Sequence, residues 1–395
     1  MGFRDFLGGP FSCLKLNYSK LGAMIFSDVI NEAYDPREYP ALALLADHWI
    51  SLRPFEGMKV LAATPIFRNT LVQYQALLAG GADLYVGYAC GKEGTAMPRD
   101  QKIVRLVEEN DIPVVTDDDV RSGRVADDFD LILDCAGQFS FCHPRKGFVE
   151  LTRSGVQFFE KSEYPVYVAD SGIVKRIETV LGTGDGYFRA LEKLGHLDFE
   201  GKNLVVFGSG KVGCGIALQG VRRGMNVCTI TNTSNVNTST DFSRVLENNG
   251  VRVESYLDDK TVPSVIADAH YLVTATGVKN ALIWDAISAI MANPGLVVAN
   301  MGVEDEFGEM VSKGRVLNGK APLNFILDEP THLKYIDTSL ALHAALGERL
   351  LNDYAESEGV PFKGPQNPPD ELEQKLLMTT IQNGAIGAEI CDMLR

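Results

Sequence analysis

Apolar residues along this chain follow two signatures, which alternate. Some form short continuous runs bounded by glycine or aspartate, and others recur every three to four positions over a dozen residues. The first marks a strand buried on both faces, and the second a helix with one face on a core. Residues 1–40 show no clear period. ALALLADHWISL (41–52) has helical spacing and is closed by Pro54. KVLAA (59–63) reads as a strand, NTLVQYQALLAGG (69–81) as a helix stopped by glycines, and DLYVGYA (83–89) as a second strand. A charged-faced helix is expected over 99–110, with strands at IPVVT (112–116) and LILDC (131–135). The aspartates at 117–119 read as a solvated loop. VYVAD (166–170) is a strand, and the helical stretch after it, 172–195, is expected to break into a hinge at Gly182–Gly186.

The same alternation continues with strand-like runs at LVVFG (204–208), NVCTIT (226–231), VRVESYL (251–257), YLVTATG (271–277) and GLVVANMG (295–302). A polar helix at 338–355, a Pro-rich linker at 360–370 and a last helix with an apolar face close the chain. Strands alternating with helices imply parallel sheets covered on both sides. The fold expected is α/β, with two doubly wound parallel-sheet domains. Residues 1–180 would form the first, of substrate-binding type. Residues 181–335 would form the second, and 336–395 a helical segment that returns to the first domain or to a partner subunit.

Gly208-Ser209-Gly210-Lys211-Val212-Gly213 changes this picture, because it stands between a strand and a helix with a second strand following. In that context the first glycine allows a tight turn, the second lets backbone approach a pyrophosphate, and the third lets helix pack on strand. The helix N-terminus offers free N–H groups to phosphate oxygens. The central domain is therefore expected to be a Rossmann unit binding NAD or NADP; a purely structural glycine turn is the alternative. NAD-specific units carry an acid at the end of the second strand. Here that position is Thr231, followed by Asn232, Thr233 and Ser234. With no carboxylate to repel a 2′-phosphate, and with Arg222 or Arg223 able to approach it, NADP is slightly preferred.

Composition narrows the partners. The net charge of −15 disfavours nucleic acid and anionic membrane surfaces, leaving a small-molecule substrate and a homo-oligomer, dimer or tetramer, as expectations. No apolar run approaches a membrane span and no N-terminal signal pattern is present. Seven scattered cysteines suggest reduced thiols and a cytoplasmic location. Cys135, Cys142 and His143 lack a second ligand pair, so no metal is expected.

The order of motifs resembles the S-adenosylhomocysteine hydrolases over about residues 40–350. The likeness is carried by RPFEGMKVLAA, GGADLYV, IPVV, LILDCAG, ELTRSGV, VYVADS, GSGKVGCG, VTATG and the Asn300-Met301-Gly302 turn. The resemblance implies a substrate domain and an NAD domain closing over the ligand, with the cofactor oxidising a ribose hydroxyl and later returning the hydride. It also implies that Thr274, Thr276 and Asn300 line the nicotinamide half. The family's reacting residues do not carry over. Val174 falls on the catalytic lysine, Glu178 and Thr179 on the following aspartate and asparagine, and Cys135 on the second of two aspartates, with Asp134 on the first. Leu151 replaces the substrate glutamate, and Pro65, Val303 and the neighbourhood of Asp337 replace histidines. A one-residue shift makes Lys175 the lysine. The C-terminal Lys and Tyr of the family have no match in GAEICDMLR.

The resemblance therefore implies a divergent member with other chemistry, an NAD(P)-dependent enzyme acting on a different small polar substrate. A non-catalytic cofactor-binding homologue and a dehydrogenase of the alanine dehydrogenase type are the alternatives. Polar groups expected in the inter-domain cleft are Asp134, Asp170, Ser171, Lys175 and Glu178. Lys175 and Glu178 share a helix face and would act as a base and a charge stabiliser; a surface ion pair is the plainer alternative. His343, between apolar neighbours, is either a general acid–base group or a satisfied core histidine.

Overall fold

A computed structural model describes residues 25–91, 97–170, 172–233 and 242–394. The chain divides into two compact units, Met1–Val174 with Asp337–Arg395, and Lys175–Ile336. In chain order the strands are β1 Lys59–Ala62, β2 Asp83–Tyr88, β3 Val114–Thr116, β4 Leu131–Asp134, β5 Gly147–Glu150 and β6 Pro165–Val168. They continue with β7 Asn203–Phe207, β8 Asn226–Thr231, β9 Arg252–Ser255, β10 Tyr271–Thr274, β11 Val297–Asn300 and β12 Gly364–Gln366.

The first unit holds a parallel sheet in the order β12-β6-β5-β4-β1-β2-β3. The order reverses between β1 and β4, so the loops leaving their C-terminal ends diverge, which is where such sheets bind ligands. One face of the sheet buries Leu61, Ile132, Phe139, Phe148, Phe159 and Val166 in a single cluster. Helix Pro40–Leu52 has no cap from its own flank. Instead Asp337, about 300 residues on, accepts from the backbone N–H of Ala41 (2.9 Å) and Leu42 (3.0 Å). That long-range cap ties the returning helix Leu333–Glu356 to the start of the unit.

Three expectations are corrected here. The aspartates at 117–119 open a short helix, Asp117–Arg121, because Thr116 and Asp119 cap each other reciprocally. Three hydrogen bonds from Thr116 and Arg124 hold the Asp119 carboxyl down at about 2. The Pro-rich stretch 360–370 contributes strand β12, placed on β6 at the sheet edge, where a proline need not donate to the ladder. No break occurs at Gly182–Gly186: a π segment, Ile177–Gly182, runs directly into helix Thr183–Lys193. The glycines serve close approach, since a Cβ on Gly215 would run into the Val180 carbonyl and one on Gly184 into Gly215.

The second unit is a five-stranded parallel sheet in the order β11-β10-β7-β8-β9. It is a Rossmann sheet, with β7 central and the order reversing between β7 and β10. Val205, Phe207, Ile230, Leu272, Ile290 and Val298 fill one face. The molecule is thus α/β with two doubly wound parallel sheets, as the alternation of strand and helix implies. Among the described residues no helix is long and apolar enough to cross a membrane.

Candidate functional site

The glycine turn sits at the C-terminal end of β7, beside the reversal point. Gly208 has φ +107°, and a Cβ there would lie 2.6 Å from the Ala275 carbonyl oxygen at the end of β10. A Cβ on Gly213 would collide with the Gly208 carbonyl, so helix Lys211–Arg222 can approach the strand only with glycine at that position. Gly210 differs from both. It precedes the helix in extended conformation, and nothing lies within 4 Å of where its Cβ would be. No side chain caps the helix. The result is an open approach to the first N–H groups of a 12-residue helix, flanked by Lys211 and Val212, which are both partly exposed.

At the neighbouring strand end, the Ser209 hydroxyl oxygen lies 2.7 Å from that of Thr231. Asn232 and Thr233 are exposed beyond it, and Ser234 lies outside the described residues. The expectation that Arg222 or Arg223 approaches this corner is corrected. Both lie at the far end of helix Lys211–Arg222, about 18 Å away along its axis. Arg223 there holds Gln219 Oε1 at 2.6 Å and stacks over the Phe188 ring.

Thr274, Thr276 and Asn300 occupy the ends of β10 and β11, but their side chains turn inward. Thr274 donates to Asn300 Oδ1 (3.0 Å), and Asn300 Nδ2 meets the carbonyls of Gly302, Glu304 and Lys320. Thr276 donates its hydroxyl and backbone N–H to Glu306, which also accepts from Gly277 N (2.7 Å). Glu306 is fully buried, and burial pushes its carboxyl above the usual range. These hydrogen bonds shape the backbone of the two loops that leave β10 and β11.

Lys175 and Glu178 form an ion pair with both carboxylate oxygens engaged, at 3.0 and 2.9 Å. Their side chains are only 4% and 16% exposed, so the pair is not a surface bridge. It stands where the α-turn of Val174–Arg176 gives way to the π segment, an irregularity that recurs at functional sites. The remaining candidates lie in the first unit. Asp134 is fully buried at the end of β4, accepting from Cys135 N and Phe139 N. His343 is fully buried too; its Nε2 donates to the Val149 carbonyl (2.9 Å) and Nδ1 accepts from Gln73 (3.2 Å). With both nitrogens held in the core, His343 is corrected from acid–base candidate to brace. Asp170 is buried, and Ser171 lies outside the described residues. Among the described residues no group of His, Cys, Asp or Glu could hold a metal ion.

No protein-family model matches the chain. It is 23% identical to the adenosylhomocysteinase of Thermoplasma acidophilum over an alignment of 382 residues, covering 82% of this chain and 87% of the relative. The Thermoplasma volcanium adenosylhomocysteinase matches at 22% identity with the same coverage. Among solved structures, a dipicolinate synthase chain of Bacillus halodurans is 14% identical with a TM-score of 0.46, covering 75% of this chain and 98% of that one. The chain is adenosylhomocysteinase-like.

In this adenosylhomocysteinase-like chain the positions that differ from the family have other uses. Val174 and Leu151 are buried apolar residues, and Asp337 caps a helix. Val303 is 90% exposed on the loop after β11. No motif in the sequence marks Glu306, whereas Glu150 ends a strand one position before Leu151.

Proposed function

We propose that this chain binds a nicotinamide dinucleotide on its second unit and uses it to oxidise a small polar substrate. The observation that supports this most directly is the glycine cradle: two glycines whose Cβ would collide with neighbouring backbone, and between them one, Gly210, facing open space before an uncapped helix. Backbone N–H groups there suit a pyrophosphate. The cofactor, when bound, supplies a hydride acceptor. The chain's own contribution is Glu178, the more exposed of the buried pair, as the base for a substrate hydroxyl proton. Lys175 holds that carboxylate in place.

The corner formed by Ser209 and Thr231 bears on the choice of cofactor. Thr231 and the residues that follow it, Asn232 and Thr233, are not carboxylates, so a 2′-phosphate is admitted, and NADP is read as slightly preferred over NAD. Adenosylhomocysteine, which the relatives' name implies for them, is not the substrate proposed here, because Val174, Leu151 and Val303 cannot supply a lysine, a carboxylate or an imidazole. A second reading, a cofactor-binding protein without turnover, is favoured by the inward wiring of Thr274, Thr276 and Asn300. Purified protein titrated with reduced and oxidised cofactors, followed by mass analysis of any co-purifying small molecule, tests the first reading. Tight cofactor binding without turnover of small hydroxy compounds would favour the second.

A further inference from the structure

Two buried acids of the first unit have no part in the chemistry above. Asp134 ends β4, Glu150 ends β5, and the strand register sets them directly opposite. Both are fully buried, and neither forms an ion pair among the described residues. The neighbouring titratable groups give no compensating charge. Cys142 is a buried thiol pushed up by burial and by the aspartates near it, with Asp127 and Arg121 on its side. His343 touches the adjacent Val149 carbonyl through the hydrogen on Nε2.

The loop Cys135–Phe139 holds both acids. Asp134 accepts from Cys135 N at 2.8 Å and Phe139 N at 3.0 Å. Glu150 Oε1 accepts from Ala136 N (2.9 Å), Thr152 N (2.7 Å) and the Thr152 hydroxyl (2.6 Å), and Oε2 from Gly137 N (3.0 Å). Ala136 and Gly137 are both left-handed, at φ +61° and +65°. Successive N–H groups then converge on one point, the concave arrangement that binds anions elsewhere. Here the anion is the protein's own Glu150.

Two carboxylates side by side and out of water do not both stay charged. Glu150 has the richer set of donors and is the better anion; Asp134 is left to hold the proton. We propose that Asp134 is a neutral carboxylic acid in the folded protein and Glu150 its anionic partner, a one-proton brace that positions the Cys135–Phe139 loop. Burial raises both acids, and Asp134 most, in keeping with this. The loop carries Gln138, whose Oε1 accepts from Ala89 N (2.7 Å), just past β2, while its Nε2 donates to the Cys135 carbonyl (3.1 Å). Because β1 lies between β4 and β2, the brace fixes Gln138 as a bridge past the C-terminal end of β1, beside the sheet's reversal point. Asp134 is then a positioning residue rather than a base. None of this depends on the cofactor assignment.

Infrared difference spectra of the full chain, with ¹³C-carboxyl aspartate and at about pH 8, test the proton. At that pH Asp337, which titrates near 7, is mostly ionised. A protonated-carboxyl band that moves with the label, persists in Asp337→Asn and disappears in Asp134→Asn is expected. Hydrogen exchange supplies the second measurement, independent of whether Asp134→Asn folds. Glu150→Gln is expected to speed exchange of the Ala136 and Gly137 amides by about tenfold or more. The absence of any aspartate band at that pH, or unchanged protection of those two amides in Glu150→Gln, would overturn the proposal.

Discussion

Ser209 and Thr231 bring their hydroxyl oxygens to 2.7 Å of each other at the adjacent ends of β7 and β8. A carboxylate placed there would meet a cofactor's ribose, and would repel a 2′-phosphate with little screening. Thr231→Glu is therefore expected to weaken NADP binding by about tenfold or more while sparing NAD. Paired titrations of wild type and variant read this; an unchanged ratio would remove Thr231 from the specificity argument.

Gly210 and Gly213 respond differently to the same added methyl group. A Cβ on Gly213 meets the Gly208 carbonyl, so Gly213→Ala is expected to cost about 1–3 kcal/mol of stability. Gly210 has a negative φ and open space around it. Gly210→Ala should leave the unfolding midpoint nearly unchanged and still lose dinucleotide affinity, because the methyl occupies the approach to the pyrophosphate. Thermal unfolding with and without cofactor separates the two effects.

The Lys175–Glu178 pair is buried enough for its partners to depend on each other. Truncating one leaves an uncompensated charge, typically a loss of about 3–5 kcal/mol, whereas replacing both with apolar residues is far milder. Denaturant unfolding of Lys175→Met, Glu178→Leu and the double variant should show the double variant closer to wild type than either single one. Additive losses would mean that the pair is solvated.

Asp337 makes stability depend on pH in a defined direction. Burial raises its carboxyl from 3.8 to about 7, against the smaller pull of two backbone N–H groups. The folded state therefore binds the proton more tightly than the unfolded chain. The stability it contributes is fully present below pH 4 and is lost as pH rises to 7. Asp337→Asn lacks this slope, so its deficit relative to wild type should shrink between pH 4 and 7 and then stay constant. Unfolding curves of both proteins at several pH values check it.

Much of this architecture is legible in the sequence because strands buried on both faces leave continuous apolar runs, as at LVVFG and NVCTIT, and glycine spacing encodes backbone approach. What the sequence conceals depends on distant partners. β12 reads as a Pro-rich linker because its pairing with β6, about 200 residues away, is not visible locally. Asp337 cannot be recognised as a cap until helix Pro40–Leu52 is placed beside it. Nor does residue type reveal that Thr274 and Asn300 bond to each other across the ends of β10 and β11. The buried Glu306 takes up the Thr276 hydroxyl and the backbone N–H groups of Thr276 and Gly277. The Gly182–Gly186 break fails for a similar reason: those glycines answer to neighbours such as Gly215 rather than to a bend in their own helix.

The second unit is proposed to hold a nicotinamide dinucleotide at Gly208–Gly213. Direct titration of the purified full chain with NADPH and NADH, read by nicotinamide fluorescence, tests it, with Gly210→Ala as the control. Saturable binding of at least one cofactor, at about micromolar concentration and lost in the Gly210→Ala variant while its fold is retained, is the result expected. A wild-type protein that binds neither cofactor, or a Gly210→Ala variant that binds as tightly as wild type, would contradict it.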